Sequence, residues 1–290
     1  MHAVAPGGFR PGAPSGPAKG SPGHPCFDDA ARSTSGRVHL PVAPACNIAC
    51  GYCDRRSDCP NECRPGVASR LLSPREAEAA LADALARDPR IRVAGVAGPG
   101  DPMAMPEAVV ETFARIKARF PWLIGCLSTN GLGLPEHVDA LARAGVSHVT
   151  VTVNAVRPEV GARIYDAVRW QGRELSGQEG AGFLLERQRR GIAACRARGL
   201  TVKVNTVLAP GVNDAHVEDV AREAARLGAD RMNLIGLIPV PGTRLGDLPA
   251  PCPGVLAALR GRCARHLPQM RHCARCRADA AGLLDEAGCC

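Results

Sequence analysis

The sequence predicts an α/β fold, an incomplete (β/α)6 barrel with cysteine-bearing extensions before and after it. Two observations carry this prediction. From residue 38 onward, apolar runs of strand length alternate with amphipathic helical stretches, and polar residues follow the end of nearly every run. Alternating strands and helices imply parallel strands joined by right-handed crossovers. Six units are too few for a closed eight-stranded barrel.

The elements follow in order along the chain. The predicted strands are 38–43, 91–97, 123–128, 148–153, 201–207 and 231–237, and the predicted helices are 74–87, 106–120, 135–144, 181–198 and 215–227. Proline lies at or near the start of three helices, and a glycine follows the end of three, at Gly145, Gly199 and Gly228. This placement of proline and glycine is typical of helix starts and ends.

Three segments are predicted. Residues 1–23 are rich in Gly, Pro and Ser and predict a disordered tail. Residues 24–240 are predicted to form the core, which begins with His24 and Cys26, two residues of metal-ligand type placed two apart. After Pro241 the strand-helix rhythm is lost, so residues 241–290 are predicted to be a C-terminal extension.

Composition narrows the class of protein. The formal net charge is +8, but aromatic residues are only 3% and show no stacking pattern, so we expect no nucleic-acid partner. No apolar run approaches the roughly 20 residues that span a bilayer, so we expect no membrane partner. Fourteen cysteines without a secretion signal are typical of a cytoplasmic protein whose thiols bind metals. We expect a monomer.

Three cysteines, Cys46, Cys50 and Cys53, form a C-x3-C-x2-C triplet just after the first predicted strand. A 4Fe-4S cluster normally takes four thiolates, so three leave one iron open for a ligand. A tetrahedral zinc site prefers two C-x2-C pairs, and only Cys50 and Cys53 have that spacing. Disulfides suit small secreted domains. The triplet therefore favours a reactive iron-sulfur site.

The triplet resembles the signature of radical S-adenosylmethionine (SAM) enzymes, whose fold is a partial TIM-like barrel. The resemblance implies that SAM binds the open iron and is cleaved reductively to a 5'-deoxyadenosyl radical. It also implies that Tyr52 flanks the adenine. Polar residues at strand ends suit a ribose, a carboxylate and a sulfonium, although Asn130 and Asn154 are equally typical of ordinary turns. The predicted cofactor-binding residues are Tyr52, Gly100, Asp101, Asn130, Thr152, Asn154, Asn205 and Leu208.

A second C-x2-C motif, Cys273 and Cys276, lies near the C-terminus. Such a pair serves as a redox dithiol, half a zinc site or two ligands of another cluster. Redox motifs of this kind follow the first strand of a βαβ unit, and this one does not. Metal ligation is therefore favoured.

Further blocks resemble a narrower family, the nitrogenase FeMo-cofactor biosynthesis proteins, over roughly residues 23–286. The blocks are 24–26, 39–53, 58–59, 61–62, 64–67, 98–101, 128–131, 149–155, 202–205, 210–214 and 271–279. The resemblance implies two accessory 4Fe-4S clusters, fused with a SAM-derived carbon and a sulfide into an 8Fe-9S-carbide precursor. It implies the accessory ligands His24, Cys26, Cys59, Cys126, Cys273 and Cys276.

The same family implies partners that donate iron-sulfur clusters, a carrier or scaffold that receives the product, and a reductant such as ferredoxin or flavodoxin. Glu62 and Arg64 are candidates for proton handling and for holding anionic groups, with a surface ion pair as the alternative. Cys63 replaces a Ser or Thr that the family pattern leads us to expect, and a histidine expected before His39 is missing. We expect a core-only form without a NifX-like domain.

Two other hypotheses fit the residues. One keeps the radical SAM fold but has an organic or peptide substrate, with Cys273 and Cys276 holding an auxiliary cluster. The other is a non-catalytic iron-sulfur carrier. If the substrate is an organic molecule or a peptide, replacing His24, Cys59 or Cys126 should have almost no effect on activity. If the protein is a carrier, replacing Cys50 should leave its cluster-donating activity intact.

Overall fold

The computed structural model describes residues 23–54, 56, 58, 59, 68 and 70–284. Its strands are β1 Gly36–His39, β2 Ile48–Cys50, β3 Ile91–Val96, β4 Ile124–Thr129, β5 Val146–Thr152, β6 Tyr165–Trp170, β7 Arg173–Leu175, β8 Thr201–Leu208, β9 Arg231–Gly236 and β10 Ala281–Gly282. Its helices are α1 Pro74–Arg87, α2 Pro106–Arg119, α3 Leu134–Arg143, α4 Pro158–Gly161, α5 Gly177–Ala197, α6 Val217–Arg226 and α7 Pro253–Cys263.

The main sheet has the order β10-β1-β3-β4-β5-β8-β9. The six strands from β1 to β9 in this sheet run parallel, and each long crossover between neighbours contains a helix. The short strand β10 pairs antiparallel with β1 at the edge. Because spatial neighbours are also successive barrel strands, the sheet curls in one direction as a half-barrel. The predicted α/β fold class is confirmed.

Local sequence explains where the helices begin and end. Ser73 caps α1, and its side chain and that of Glu76 form a reciprocal capping box. Proline occupies one of the first two positions of α1, α2 and α3. The helices α3, α5 and α6 end one or two residues before the three predicted glycines.

The first strand differs from its predicted range. The ladder of β1 ends at His39 because Pro41 and Pro44 have no N–H to donate. The helix α7 lies in the section where the regular alternation of strands and helices is predicted to end, and its bounds were not predicted. Its apolar residues are not confined to one face, yet Leu259 and Cys263 are buried in the main core.

A second, three-stranded antiparallel sheet, β2-β6-β7, was missed as well. Its strand β2 lies inside the cysteine triplet. The turn between β6 and β7 has positive φ at both central residues, Gln171 (49°) and Gly172 (77°). This is the geometry of a tight hairpin turn, for which a polar residue followed by glycine is the sequence signal.

The two faces of the main sheet differ in chemistry. One face packs against the helices through aliphatic side chains such as Val149, Val202 and Leu234. Because side chains alternate along a strand, the intervening residues face the inside of the barrel. These are buried and polar: Arg37, Ser128, His148, Thr150, Thr152, Lys203, Asn205 and Asn233. Barrels of this class usually fill their interior with branched aliphatic residues, so this interior is adapted to polar contents.

Among the described residues, no helix is both long enough and apolar enough to cross a bilayer.

Candidate functional site

The predicted triplet lies at the carboxyl end of the half-barrel and lines an open cavity of about 400 Å³, here called the upper cavity. Its lining residues come from the cysteine loop and from the ends of β3, β4 and β5: Cys46, Ile48, Cys50, Cys53, Cys59, Ala97, Gly100, Asp101, Ser128, Thr129, Asn130 and Thr152. Four thiols therefore face one space. Strand β2 fixes Cys50 through its pairing with β6.

The base of the cysteine loop rests directly on backbone. The Gly100 N–H donates to the Ala43 carbonyl at 2.6 Å, and the Asp101 N–H donates to the Ala45 carbonyl at 2.7 Å. A Cβ at position 100 would lie 2.0 Å from the Ala45 carbonyl oxygen. Only glycine permits this approach, so the predicted importance of Gly100 has a steric basis.

The Asp101 carboxylate joins two strand ends. It accepts hydrogen bonds from the Met103 N–H (2.9 Å), the Thr129 hydroxyl (2.9 Å) and the Asn130 N–H. The side chain is 4% exposed. The carboxylate oxygens thus accept hydrogen bonds from protein groups, and these bonds hold this part of the lining of the upper cavity in place.

Two asparagines predicted as cofactor ligands also brace the cysteine loop. Asn154 donates to the Tyr52 hydroxyl at 2.7 Å and accepts from the Val207 N–H at 2.8 Å. Asn130 donates to the Asn47 side chain at 2.7 Å, with its amide nitrogen 3.9 Å from Cys46 Sγ. Both connect strand ends to the loop that carries the thiols.

The remaining predicted cofactor-binding residues differ in position. Thr152 lines the upper cavity, and its carbonyl accepts from Gln188 at 2.9 Å. Asn205 is buried on the inward face of β8, in register with Thr152 and Asn233. Leu208 is fully buried in the core between sheet and helices, and its carbonyl accepts from the Leu237 N–H.

Burial favours the neutral form of the Cys50 thiol. Burial raises the pKa of the Cys50 thiol well above its usual range, and the nearby Cys53 and Cys46 thiols raise it further. Burial likewise raises the pKa of the Tyr52 hydroxyl well above its usual range. Three mutually interacting thiols in one cavity match the donor set of a three-thiolate 4Fe-4S cluster, whose iron offsets the cost of forming thiolates here.

A second cavity of about 570 Å³, the inner cavity, lies inside the half-barrel. Its polar and sulfur-bearing lining residues are His24, Cys26, Arg37, His39, Cys126, Ser128, Thr150, Lys203, Met270, Cys273, Arg275 and Cys276. Five of the six predicted accessory ligands meet here. The sixth, Cys59, lines the upper cavity instead, where its N–H donates to the Pro99 carbonyl at 2.9 Å.

His24 is almost completely buried, at 1% exposure, and stacks near Phe27 and His148 with ring centroids 4.7 Å away from each. Burial lowers the pKa of His24 well below its usual value, so the ring is neutral. Its Nδ1 accepts the Cys26 N–H at 3.1 Å, and its Nε2 is buried with no hydrogen-bond partner in the described structure. Ligation through Nε2 would move the ring hydrogen to Nδ1 and break this bond.

Basic groups surround the inner thiols. Burial raises the pKa of Cys26 to about 12, and Lys203 partly opposes this rise, while Cys276 and Cys273 add to it. Burial also raises the pKa of Cys276, opposed by Arg37. The Lys203 ammonium lies 5.4 Å from the centre of the Phe27 ring and 4.0 Å from Met270 Sδ. Positively charged groups and thiols therefore line the same cavity.

No group of three His, Cys, Asp or Glu side chains in the described part of the chain is arranged to hold a single metal ion. A cubane differs from an ion because each thiolate binds a separate iron, so its ligands surround a larger body. The spread thiols of the two cavities fit clusters better than they fit zinc.

Several predictions fall outside the described residues. They concern Glu62 and Arg64 as proton-handling candidates, and the unassigned Cys63, Cys289 and Cys290. Conversely, the sequence analysis missed the inward position of Arg37. The signal was present, because Arg37 shares a face of β1 with His39 and lies opposite to the apolar Val38.

Comparison with known families and proteins gives a consistent result. Residues 40–224 match the model of the radical SAM superfamily. The chain is 46% identical over 263 residues to FeMo cofactor biosynthesis protein NifB of Chlorobaculum tepidum, covering 91% of this chain and 62% of that protein. It is 44% identical over 268 residues to NifB of Azotobacter vinelandii, covering 91% of this chain and 53% of that protein.

The chain thus spans about half to three-fifths of the length of these relatives. Among solved structures, SuiB of Streptococcus suis superposes with a TM-score of 0.58 at 13% identity, covering 82% of this chain and 49% of SuiB. At that identity the similarity concerns the fold alone.

Proposed function

The chain belongs to the radical SAM superfamily, and from this premise we propose that it is a nitrogenase-cofactor maturase. In this proposal the substrates are two 4Fe-4S clusters, which are fused with a SAM-derived carbide and a sulfide into the 8Fe-9S-carbide precursor. The similarity to NifB proteins over 91% of the chain supports the assignment to FeMo-cofactor biosynthesis.

The observation that carries the proposal is the adjacency of the two thiol-lined cavities. Ala97 and Ser128 line both of them. The two cavities therefore share a wall to which both residues contribute. SAM bound in the upper cavity would therefore be separated only by this wall from a cluster substrate in the inner cavity, to which its methyl group and its radical are directed in this proposal.

Each cavity has a distinct role in this proposal. Cys46, Cys50 and Cys53 hold the SAM-binding 4Fe-4S cluster, which supplies an open iron for SAM and the electron for its reductive cleavage. Gly100, Asp101 and Asn130 hold the loop that presents these thiols, and Tyr52 and Asn154 brace it from the opposite side. Cys59 lines the upper cavity, and in this proposal it serves the accessory clusters from that side.

The inner cavity holds the cluster substrates. Cys26, Cys126, Cys273 and Cys276 provide the thiols, and His24 provides a nitrogen once its ring hydrogen has moved. Because thiolate-ligated clusters are anionic, Arg37 and Lys203 stabilise them electrostatically. Even when Cys59 is included, six accessory ligands for the eight irons of two cubanes leave irons unligated by protein, which favours release of the fused product.

The proposed partners are an iron-sulfur donor, a cofactor carrier or scaffold and an electron donor such as ferredoxin or flavodoxin. The formal charge of +8 favours association with an acidic reductant through complementary surface charge.

The proposal is tested on one anaerobically reconstituted sample. Three cubane clusters require about twelve irons per chain, and incubation with SAM and a reductant is expected to yield both S-adenosylhomocysteine and 5'-deoxyadenosine. Full iron loading without either product would reject a maturase and favour a carrier. Products that persist after replacement of His24 and Cys126 would favour an organic or peptide substrate.

The shared wall yields a separate prediction. Ser128→Leu should lower S-adenosylhomocysteine formation at least tenfold while the iron content stays near that of the parent protein. The reason is that added bulk thickens the wall between the cavities without removing a thiol.

Ser128→Ala is the matched control, because it removes the hydroxyl but adds no bulk. Its product yield should stay within about twofold of the parent. Equal losses in the two variants would assign the effect to the hydroxyl and contradict a role for wall thickness.

A further inference from the structure

Arg37 is a buried cation with an unusual set of partners. It lies on the inward face of β1 with 1% exposure. Its Nε and one terminal nitrogen donate to Cys276 Sγ at 3.3 and 2.9 Å. The other terminal nitrogen donates to the carbonyls of Gly282 and Leu283, the latter at 3.0 Å. The guanidinium therefore forms a two-pronged contact with one thiol.

The backbone holds this contact in place from both sides. Arg37 and Val38 pair with Gly282 and Ala281 through the β1-β10 ladder, which places the two accepting carbonyls beside the guanidinium. Cβ atoms at Gly36 would lie 3.2 to 3.4 Å from Ile91 and Gly282, so this edge of the sheet is closely packed. The arginine side chain cannot move away without breaking its hydrogen bonds to Cys276, Gly282 and Leu283.

A buried arginine costs free energy unless its donors are satisfied and its charge is balanced. Two carbonyls and a neutral thiol satisfy donors but supply no negative charge. No carboxylate forms a salt bridge with Arg37 within the described residues. A thiolate-ligated cluster at Cys276 would provide the missing negative charge.

We propose that Arg37 is a positioning residue that orients the Cys276 sulfur and raises the reduction potential of the accessory cluster bound to it. This inference rests on the proposed function, because it requires a cluster at Cys276. Hydrogen bonds to ligand sulfur and nearby positive charge stabilise the reduced, more negative state of a cluster. A planar two-pronged donor also fixes the direction of the sulfur lone pairs, which an ammonium cannot do.

The test is a potentiometric titration of the reconstituted full-length chain, followed by electron paramagnetic resonance. The SAM-binding cluster is recognised by the change of its signal when SAM is added. Arg37→Met should lower the midpoint potential of one accessory cluster, and Arg37→Lys should lower it less because the charge remains. An unchanged potential in both variants would overturn the inference.

A second measurement needs no substitution. In the parent chain labelled with 15N-arginine, the reduced accessory cluster should show a 15N hyperfine coupling through the N–H···S bonds. Absence of that coupling would refute the contact even if the Arg37 variants failed to fold. Arg187→Met provides the matched control, because Arg187 is a buried arginine that donates to the Leu132 carbonyl and Glu136.

The outcome separates the two proposals. A parent protein that binds only about four irons would reject the accessory clusters and the role of Arg37 together. About twelve irons, with unshifted potentials and no 15N coupling, would reject the role of Arg37 alone.

Discussion

Replacing Cys50 by alanine is expected to reduce 5'-deoxyadenosine formation from SAM below detection and to lower the iron content by about four atoms per chain. Cys50 ends β2, and its thiol lies in the upper cavity with those of Cys46 and Cys53. Two remaining thiolates hold a cubane too weakly to present an open iron in a fixed position. Iron analysis and chromatography of SAM products measure both effects.

Cys195→Ala is the matched control. Cys195 is also a fully buried free thiol, but it lies in α5 within the main core. Its replacement should cost about 1 kcal/mol of stability through a small cavity and leave iron and products unchanged. If Cys50→Ala retained full iron content and SAM cleavage, the triplet would not be the cluster site.

Gly100→Ala is expected to prevent stable assembly of the SAM-binding cluster. The added methyl group would meet the Ala45 carbonyl oxygen at 2.0 Å and the Ala45 carbonyl carbon at 2.5 Å. Both are backbone atoms, so no side-chain rotation relieves the clash, and overpacking of this kind costs roughly 1–3 kcal/mol or more. The loop would shift away from Asp101, and iron content and thermal midpoint should both fall.

The same substitution at Gly261 provides the comparison. Gly261 lies in α7 and a Cβ there would meet nothing within 4 Å. Because alanine favours helix over glycine by up to about 1 kcal/mol, Gly261→Ala should keep or raise the thermal midpoint and leave iron content unchanged. A Gly100→Ala protein as stable and as iron-rich as the Gly261 variant would refute the steric argument.

Much of the fold could be predicted because the barrel strands are continuous apolar runs and the helices carry clear start and end signals. The prediction failed where those signals are weak. The β6-β7 hairpin carries only a Gln-Gly turn, and α7 has no apolar face that distinguishes it from a loop. Strand β2 is three residues long and forms only because β6 pairs with it.

The site was predictable in its thiols but less so in its polar contacts. Spacing alone marks the triplet, whereas cysteines far apart in the chain, such as Cys126 and Cys276, meet only through the fold. Sequence gives no means of telling whether a polar side chain faces a ligand or its own backbone. Asp101 and Asn154 both make internal hydrogen bonds, and their predicted contact with a cofactor stays a prediction.

The polar interior of the half-barrel has a thermodynamic consequence. Asn233 is fully buried with neither side-chain atom paired in the described structure, and Ser128 Oγ is likewise unpaired. Each such unpaired buried group destabilises the folded state by about 1–3 kcal/mol. A ligand that binds inside the half-barrel therefore also stabilises the folded state, because mass action favours the conformation that binds it. If the proposed cluster product is that ligand, its release would lower the stability of the fold. The less stable chain would then accept new cluster substrates more easily than a barrel with an apolar core would.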